Sequence, residues 1–526
     1  MIKKIFIISL CILAFRLASC ARIGSPDGGP KDSIPPVMAL AKPQNKTTLF
    51  KAKKVTILFD EYIRFNNLSQ QLIISPPMEK KPEIKPLSDA SKKITIEFLE
   101  KLKPNTTYTI NFGNSIVDNN EKNELGRFSY VFSTGELLDS LSVNGFIFDP
   151  LAEKDVEEIS VMGYKNAHDS LVGNYTPDYL TNSLKSNFYS LENLSEATYT
   201  LIALEDKNNN YKYDKGLERI GFLNDSIYLN KPIDSLDFIL FKEAKDFKIF
   251  RPSQTKGNQI ILGYNGTKEP TLQLEGIKKD NYFISKEKAQ DSLYIWFKEI
   301  PQDTVHLYVD LDTLKEHYKL LPRKLAMDSI AISSNIGGTL HPRDTFAIKT
   351  TVPVAAILND SISLLENDSI PVDFKLISNP KEHLLQLDFE RKNNTFYALK
   401  LKEYALVDFL GFHSYPKNFT FNITNPEEYG EIVLHINNPK KINLIVELRD
   451  AKKNKISQCI SDSGALRFKD LIPEKYTVRI IKDLNNNKQY DNGNFALKIQ
   501  PEEVINIEKV LTLRANSEIN ENITIE

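Results

Sequence analysis

Two short stretches of this chain gather side-chain oxygens at a spacing that could hold an ion. Asp206, Asn208, Asn210 and Asp214 stand at the first, third, fifth and ninth positions of one loop, and Asp483, Asn485, Asn487 and Asp491 repeat the pattern. Oxygen donors so spaced match a calcium loop, because a hard cation collects carboxylate and amide oxygens from alternate residues of a tight turn. Two parts of such a loop are missing. Tyr211 and Lys488 occupy the position where a glycine makes the sharp turn, and Leu217 and Asn494 stand where a bidentate glutamate would close the cage. Asn and Asp also bond their own backbone in tight turns, with no metal involved. Two readings stand side by side: a calcium site, or a polar turn.

Little else in the chain points to chemistry. The histidines (His168, His306, His317, His341, His383, His413 and His435) are scattered, with no H-E-x-x-H or H-x-H spacing for a metal. No nucleophile elbow, phosphate loop or dinucleotide glycine signature occurs. Cys459 is isolated in a strand-rich segment and reads as a small buried hydrophobe rather than a nucleophile. Asp60 and Glu61 are neighbours on a strand, so they point to opposite faces and cannot act as a carboxylate pair. Lys51, Lys53 and Lys54 read as a solvated strand edge, too few for a nucleic-acid surface. The chain is read as a non-enzyme with no cofactor other than the calcium the two loops could bind.

The elements that carry those loops are strands. Tyr199-Thr200-Leu201-Ile202-Ala203-Leu204 runs into Asp206, and Tyr476-Thr477-Val478-Arg479-Ile480-Ile481 runs into Asp483, with Leu194 and Leu471 each five residues ahead of the tyrosine. Repetition at this level means one structural module used twice. The same period of two runs through the rest of the chain. Val55, Ile57 and Phe59 alternate with polar neighbours, as do Ile94, Ile96 and Phe98, then Tyr108, Ile110 and Phe112, then Phe128, Tyr130 and Phe132. Each such run buries one face and wets the other. Turn-forming stretches such as Ser75-Pro76-Pro77 separate them. No comparably long stretch shows a helical period. The fold class expected is all-β, a row of β-sandwiches. Trp296, the one tryptophan, reads as a core anchor.

Size and charge agree with that class. The 526 residues suit three to five domains, and 69 acidic against 67 basic residues leave a net charge of -2. That balance excludes a strongly basic nucleic-acid surface and a polyacidic tail. With 41% hydrophobic and 26% charged residues the chain is not disordered, and three cysteines cannot form a disulfide framework.

The N-terminus says where the chain goes. Lys3 and Lys4 precede an apolar run from Ile5 to Phe15, which suits a secretory signal and is too short to span a bilayer. It ends in Leu17-Ala18-Ser19-Cys20, which resembles a bacterial lipobox, with Arg16 as a departure. The resemblance implies cleavage before Cys20 and lipidation of its thiol, so that lipid is the only membrane attachment. The Gly- and Pro-rich stretch from Ala21 to Pro36 is a tether. Asp27 and Asp32 alone do not make an acidic surface-export signal, so the choice between periplasmic face and cell surface stays open.

Further motifs divide the body. Ile34-Pro35-Pro36, Ile57-Leu58-Phe59-Asp60-Glu61, Asn105-Thr106-Thr107-Tyr108, Val117-Asp118 and Phe132-Ser133-Thr134-Gly135 together resemble the bacterial Ig-like domain that opens many Bacteroidota lipoproteins. A weaker copy appears in Asn394-Thr395-Phe396-Tyr397, Val407-Asp408 and Phe419-Thr420-Phe421. The repeated Tyr-Thr strand with its loop resembles the small prealbumin-like or carboxypeptidase-regulatory-like sandwich. The expected division is signal peptide 1–19, tether 20–35, Ig-like domain 36–135, prealbumin-like sandwich 138–245, a further sandwich 246–335, a second Ig-like domain 336–426 and a second prealbumin-like sandwich 427–526.

An Asp-Ser/Thr-apolar tripeptide recurs through these domains, at Asp32, Asp139, Asp169, Asp225, Asp234, Asp291, Asp303, Asp312, Asp328, Asp360 and Asp368. It reads as a turn leading into a strand. It also resembles the O-glycosylation acceptor of exported Bacteroidota proteins, and the two readings are compatible.

The function expected is that of a lipid-anchored interaction or scaffold protein of the outer membrane, an accessory subunit to an outer-membrane protein, with no nucleic-acid partner. A rod-like row of sandwiches would suit reaching a partner away from the bilayer. The rival is a glycan-binding or adhesive lipoprotein, favoured by exposed aromatics on one sandwich face, where a smooth apolar patch favours a protein partner. A hydrolase within 246–335 would need a cleft with clustered acids.

Overall fold

The structure is a computed structural model that describes residues 32–525, apart from 153–155, 167–171, 267, 287–290, 312–313 and 327–329. The expected signal peptide, Cys20 and most of the expected tether lie outside the described residues, as do His168, Asp169, Asp312 and Asp328. The described chain is nearly all β. Its one α-helix is the four-residue Leu68–Gln71, and five separate apolar cores succeed one another along the sequence. The chain is a tandem of β-sandwiches.

Alternation builds each core. In the first module the strands Met38–Lys42, Lys54–Phe65, Ser91–Glu97 and Glu83–Lys85 form one sheet, and Ile73–Ser75, Thr107–Asn111 and Ser129–Ser133 the other. Val55, Ile57, Ile94 and Ile96 from the first sheet bury against Tyr108, Ile110, Tyr130 and Phe132 from the second. The fourth module repeats this with Phe346, Leu364, Leu385, Tyr397, Leu399 and Phe421, and its core takes in Ile330. A tyrosine locks the same corner in both modules. Tyr108 accepts the N–H of Lys103 at 2.9 Å, and Tyr397 accepts that of Lys392 at 3.0 Å. A buried phenol oxygen bonded a few residues back along the chain ties the strand to its corner.

The second and fifth modules share a different wiring. In the second, Tyr179–Asn182, Ser160–Lys165, Ala197–Leu204 and Ile220–Phe222 make one sheet, and Phe188–Leu194, Leu141–Phe148 and Phe238–Ile239 the other. In the fifth, Lys455–Ile460, Leu444–Arg449, Lys475–Lys482 and Val504–Thr512 face Gly464–Leu471, Gly430–Asn437 and Glu518–Thr524. In both, the last strand returns to lie parallel to the first, Phe238 against Ile147 and Ile519 against Ile432. Tyr199 donates to the carbonyl of Ser195 at 2.9 Å, and Tyr476 to that of Ile472 at 2.8 Å.

The third module packs Gln259–Asn265 and Ser292–Phe297 over Thr271–Glu275, Val305–Leu311 and Leu314–Leu320, through Leu262, Leu293, Ile295, Val305, Leu307 and Val309. Trp296 is buried, donating its indole N–H to Ser285 Oγ at 2.8 Å.

The expectation of an extended rod is overturned. The fifth module folds back onto the second, with Arg479 reaching the carbonyl of Leu151 at 3.2 Å and Asn506 that of Pro150 at 2.8 Å. Alternation within strands sets the sandwiches but says nothing of contacts between their outer faces, and those contacts bend the row.

Candidate functional site

The two Asn-rich loops are built alike. Asp206 accepts the backbone N–H of Asn210 at 3.1 Å and of Tyr211 at 2.9 Å, and Asp483 accepts those of Asn487 and Lys488 at the same distances. Asn208 donates to Asp214 at 2.7 Å, and Asn485 donates to Asp491 at 2.5 Å. Asn210 and Asn487 accept from the residues two further on, both at 2.7 Å. Tyr211 and Lys488 take φ of 59° and 63°, the left-handed conformation that glycine would adopt freely. Thus the turn forms at the glycine position without glycine.

One part of each loop is not legible in the sequence pattern. The residues at the twelfth position, Leu217 and Asn494, do not close the loop. Glu218 does, accepting the N–H of Lys207 at 3.0 Å and of Asp214 at 2.9 Å. Glu502 takes the same two bonds from Leu484 and Asp491, both at 3.0 Å. Glu218 is 1% exposed and Glu502 is 8% exposed. Burial raises the pKa of both carboxyls above the ordinary range, against the pull of those N–H groups. The carboxyl oxygens are spent on backbone N–H groups, and among the described residues no three acidic, histidine or cysteine side chains converge as metal ligands would. As placed, these residues make self-satisfied polar turns.

The segment beyond the second loop matters more than the loop's oxygens. Phe495 enters the second module, edge-on to Tyr213 at 5.8 Å and to Phe222 at 5.5 Å. Its backbone N–H reaches Glu243 at 3.0 Å, and Tyr213 donates to the other oxygen of that buried carboxylate at 2.6 Å. Gln500 adds bonds to the carbonyl of Phe222 and to Asn224, each 2.9 Å. Gly493 makes the approach possible, because a Cβ there would stand 2.7 Å from the Phe241 ring.

The docking surface is the outer face of the second module's larger sheet. Met162, Tyr164, Ile202 and Leu204 point away from the sandwich core into a second apolar cluster, which Ile73 of the first module and Phe495 of the fifth help to cover. The first module is fastened there too, through Ser75 Oγ accepting from Leu180 at 3.0 Å and Thr109 from Asn193 at 2.9 Å.

The second module's other sheet also turns an apolar face outward, and this one is open. Phe146 and Phe148 project from Leu141–Phe148, 42% and 41% exposed, with Phe188 across from Phe146 and Ile239, 40% exposed, across from Phe148. Phe146 lies 5.5 Å from Phe188 and 6.2 Å from Phe148, at interplanar angles of 63° and 31°. The Arg127 guanidinium caps Phe188 at 5.6 Å.

Ser285 and His383 meet at the junction of the third and fourth modules. Ser285 Oγ and His383 Nε2 are 2.7 Å apart, and each residue is 2% exposed. A hydrolytic dyad needs an orienting acceptor on the far ring nitrogen and a path for substrate. His383 Nδ1 is buried without a partner, Trp296 already donates to the serine, and burial holds the imidazole pKa down to about 4. The pair fastens two modules, together with the Lys286 N–H on the carbonyl of Lys381 at 2.8 Å.

Among the described Asp-Ser/Thr positions, Ser140, Ser226, Thr304, Ser361 and Ser369 each stand immediately before a strand, and Ser292 opens one. Ser140, Ser226, Ser235, Thr304 and Ser369 are exposed. Cys459, read as buried, is exposed, because its strand Lys455–Ile460 lies at the sheet edge.

Residues 32–134 match the family model of a bacterial Ig-like domain. Among solved structures the chain is similar to domains A168–A170 of titin, at 14% identity over 46% of this chain and 94% of that one, TM-score 0.14. It is similar to domains 1–6 of the surface layer protein SbsC, at 10% identity over 92% and 67%, TM-score 0.14. BcpA, the major pilin subunit of Bacillus cereus, is 8% identical over 74% and 99%, with TM-score 0.14. Superpositions this poor carry no argument, and the sandwich assignment rests on the chain's own paired sheets. No curated protein matches the chain.

Proposed function

We propose that this chain is a non-catalytic interaction subunit of the bacterial cell envelope, held to the outer membrane by lipid on Cys20 and bound to an outer-membrane protein. The observation that carries this reading is the open apolar face of Phe146, Phe148, Phe188 and Ile239 on a module whose other apolar face is already covered by its own chain. Contiguous exposed apolar side chains rimmed by polar groups mark protein contact sites. Three of the face's four side chains are aromatic rings, the feature that favours a glycan, while Ile239 and the inclination of the rings by 63° and 31° favour a protein. Fastening of the modules to one another supports the scaffold role, because a preorganised surface loses less entropy on binding.

Two measurements test the reading. Labelling with radioactive palmitate should mark the chain and fail to mark Cys20→Ala. Affinity purification from detergent-solubilised outer membranes should recover one membrane protein in near-stoichiometric amount. Recovery of the lipoprotein alone would contradict the subunit role.

A further inference from the structure

In the first, third and fourth modules one strand holds the same place, flanking the sheet that closes the sandwich. It is Ile73–Ser75 beside Thr107–Asn111, Thr271–Glu275 beside Val305–Leu311, and Ile362–Glu366 beside Thr395–Leu401. Two of the three have their outer edge covered. In the first module the second module's strand Tyr179–Asn182 lies alongside, with the Leu180 N–H on Ser75 Oγ at 3.0 Å. In the fourth, Ile370–Val372 turns back and pairs with it, Val372 opposite Leu364 and Ile370 opposite Glu366. In the third, Val305–Leu311 is the one strand paired with Thr271–Glu275 among the described residues.

That bare edge opens onto a cleft of about 1130 Å³, whose far wall is Tyr282–Ser285, the edge strand of the module's other sheet. Leu272, Tyr282 and Ile284 pack on the core from the mouth of the cleft and stay half-buried. From Thr271 to Leu274 the strand has neither the charges nor the prolines that ordinarily blunt a free edge.

We propose that this edge is a strand-addition site, taking an extended, uncharged segment of a partner protein with apolar residues at alternate positions. An edge strand turns the N–H and C=O of alternate residues outward, and another extended backbone satisfies both. Side chains alternate across a strand, so every second residue of the segment points into the cleft, over Leu272 and Ile284. The five residues of the edge admit about 17 Å of segment. Charge on the rim is balanced. Lys279, Lys286 and Lys381 stand against Glu269, Asp280 and Glu382, with Glu269 3.4 Å from Lys286, so the complementary segment is neutral. The cleft runs onto the joint with the fourth module, where the carbonyl of Lys381 accepts the Lys286 N–H at 2.8 Å. Its walls are therefore fixed before a segment arrives. The site is on a different module from the open aromatic face and does not depend on what that face binds.

The probe is a phage-displayed library of random ten-residue peptides selected on the full chain, with the enriched peptide then synthesised for hydrogen-exchange mass spectrometry. Without peptide, Thr271–Glu275 should exchange faster than Ile362–Glu366, whose outer edge is paired. With peptide at about ten times its Kd, exchange at Thr271–Glu275 should slow about tenfold, since only the unbound fraction exchanges. N-methylation of alternate peptide residues should abolish binding in the set that faces the edge and spare it in the other set. Leu272→Asp should weaken binding about tenfold, the scale of one apolar side chain left uncovered. The N-methyl series needs no protein variant, so a folding defect cannot mimic its result. Enriched peptides without the alternation, binding indifferent to N-methylation, protection that falls elsewhere on the chain, or no enrichment overturns the proposal. So does slow exchange at Thr271–Glu275 before peptide is added, which gives the edge to the chain itself or, if lost on dilution, to a second copy.

Discussion

The second and fifth modules are one design with opposite surfaces. Both thread the same sheets, lock the same tyrosine and end the same strand in the same polar loop. The second module turns Met162 and Ile202 outward from its larger sheet, where the fifth turns Glu447 and Arg479 at the equivalent, mutually paired positions. On the smaller sheet the second shows Phe146, Phe148, Phe188 and Ile239. The fifth shows Glu431, Arg467 and Glu518, with Arg467 2.8 Å from Glu431, and His435 bonded to Asn520 at 2.8 Å. The cores fix the fold, and the outer faces divide the labour. The second module is the hub on which other parts dock, and the fifth is a polar unit that reaches it with one aromatic residue.

That contrast can be broken from the hub side first. Ile202→Arg would bury a charge without a partner in the covered face and should cost about 4 kcal/mol or more, measured by urea denaturation. Arg479→Ile on the fifth module loses bonds to Asn506 and to the carbonyl of Leu151 and should cost about 1–2 kcal/mol. Equal costs would contradict the division.

A second test removes the aromatic residue that joins them. Phe495→Ala should lose about 2–3 kcal/mol of docking and let the fifth module separate. Small-angle scattering should then report a larger radius of gyration with both modules still folded. An unchanged radius would mean that the polar bonds of Gln500, Asn506 and Arg479 suffice.

The loops sharpen what the modules share. Glu218 and Glu502 each have a folded-state pKa raised above the unfolded value, so the stability they contribute is fully present below about pH 4.5 and is lost as pH rises through the raised value. The variants Glu218→Gln and Glu502→Gln should each flatten part of that decline, seen as the thermal midpoint followed from pH 4 upward. Added calcium should leave the midpoint unchanged if hydrogen bonds alone hold the turns. A rise would assign the ion to Asp206, Asn208, Asn210 and Asp214, or to their counterparts from Asp483 to Asp491.

The smallest effect separates the two left-handed residues. Lys488→Gly relieves a strained exposed position and should stabilise by about 0.5–1 kcal/mol in thermal unfolding. Tyr211→Gly should destabilise instead, because Tyr211 packs against the docking cluster.

Much of this is legible in the local pattern. Alternation at Val55, Ile57 and Phe59 marks the strands, and the Tyr-Thr strands with their loops mark one module used twice. The oxygens of Asp206 and Asp483 bond their own turns, as residues of those types can. Their closing carboxylates are not visible in the spacing, since Glu218 comes four residues after Asp214 while Glu502 comes eleven after Asp491. Unequal insertions hide a shared position from any fixed spacing. The hub face does leave a trace. Leu201-Ile202-Ala203-Leu204 is apolar on both sides of the strand, whereas Val478-Arg479-Ile480 alternates. An unbroken run of that kind means both faces are buried. The Ser285–His383 contact needs module packing, which a one-dimensional motif does not encode.

The proposed partner site is the open face of the second module. The most direct measurement compares affinity purification from detergent-solubilised outer membranes for the native chain and for Phe146→Asp/Phe148→Asp, whose exposed positions leave the core intact. The account predicts one co-purifying membrane protein with the native chain and its loss with the double variant, both chains melting at the same temperature. Equal recovery of that protein by the double variant would contradict it.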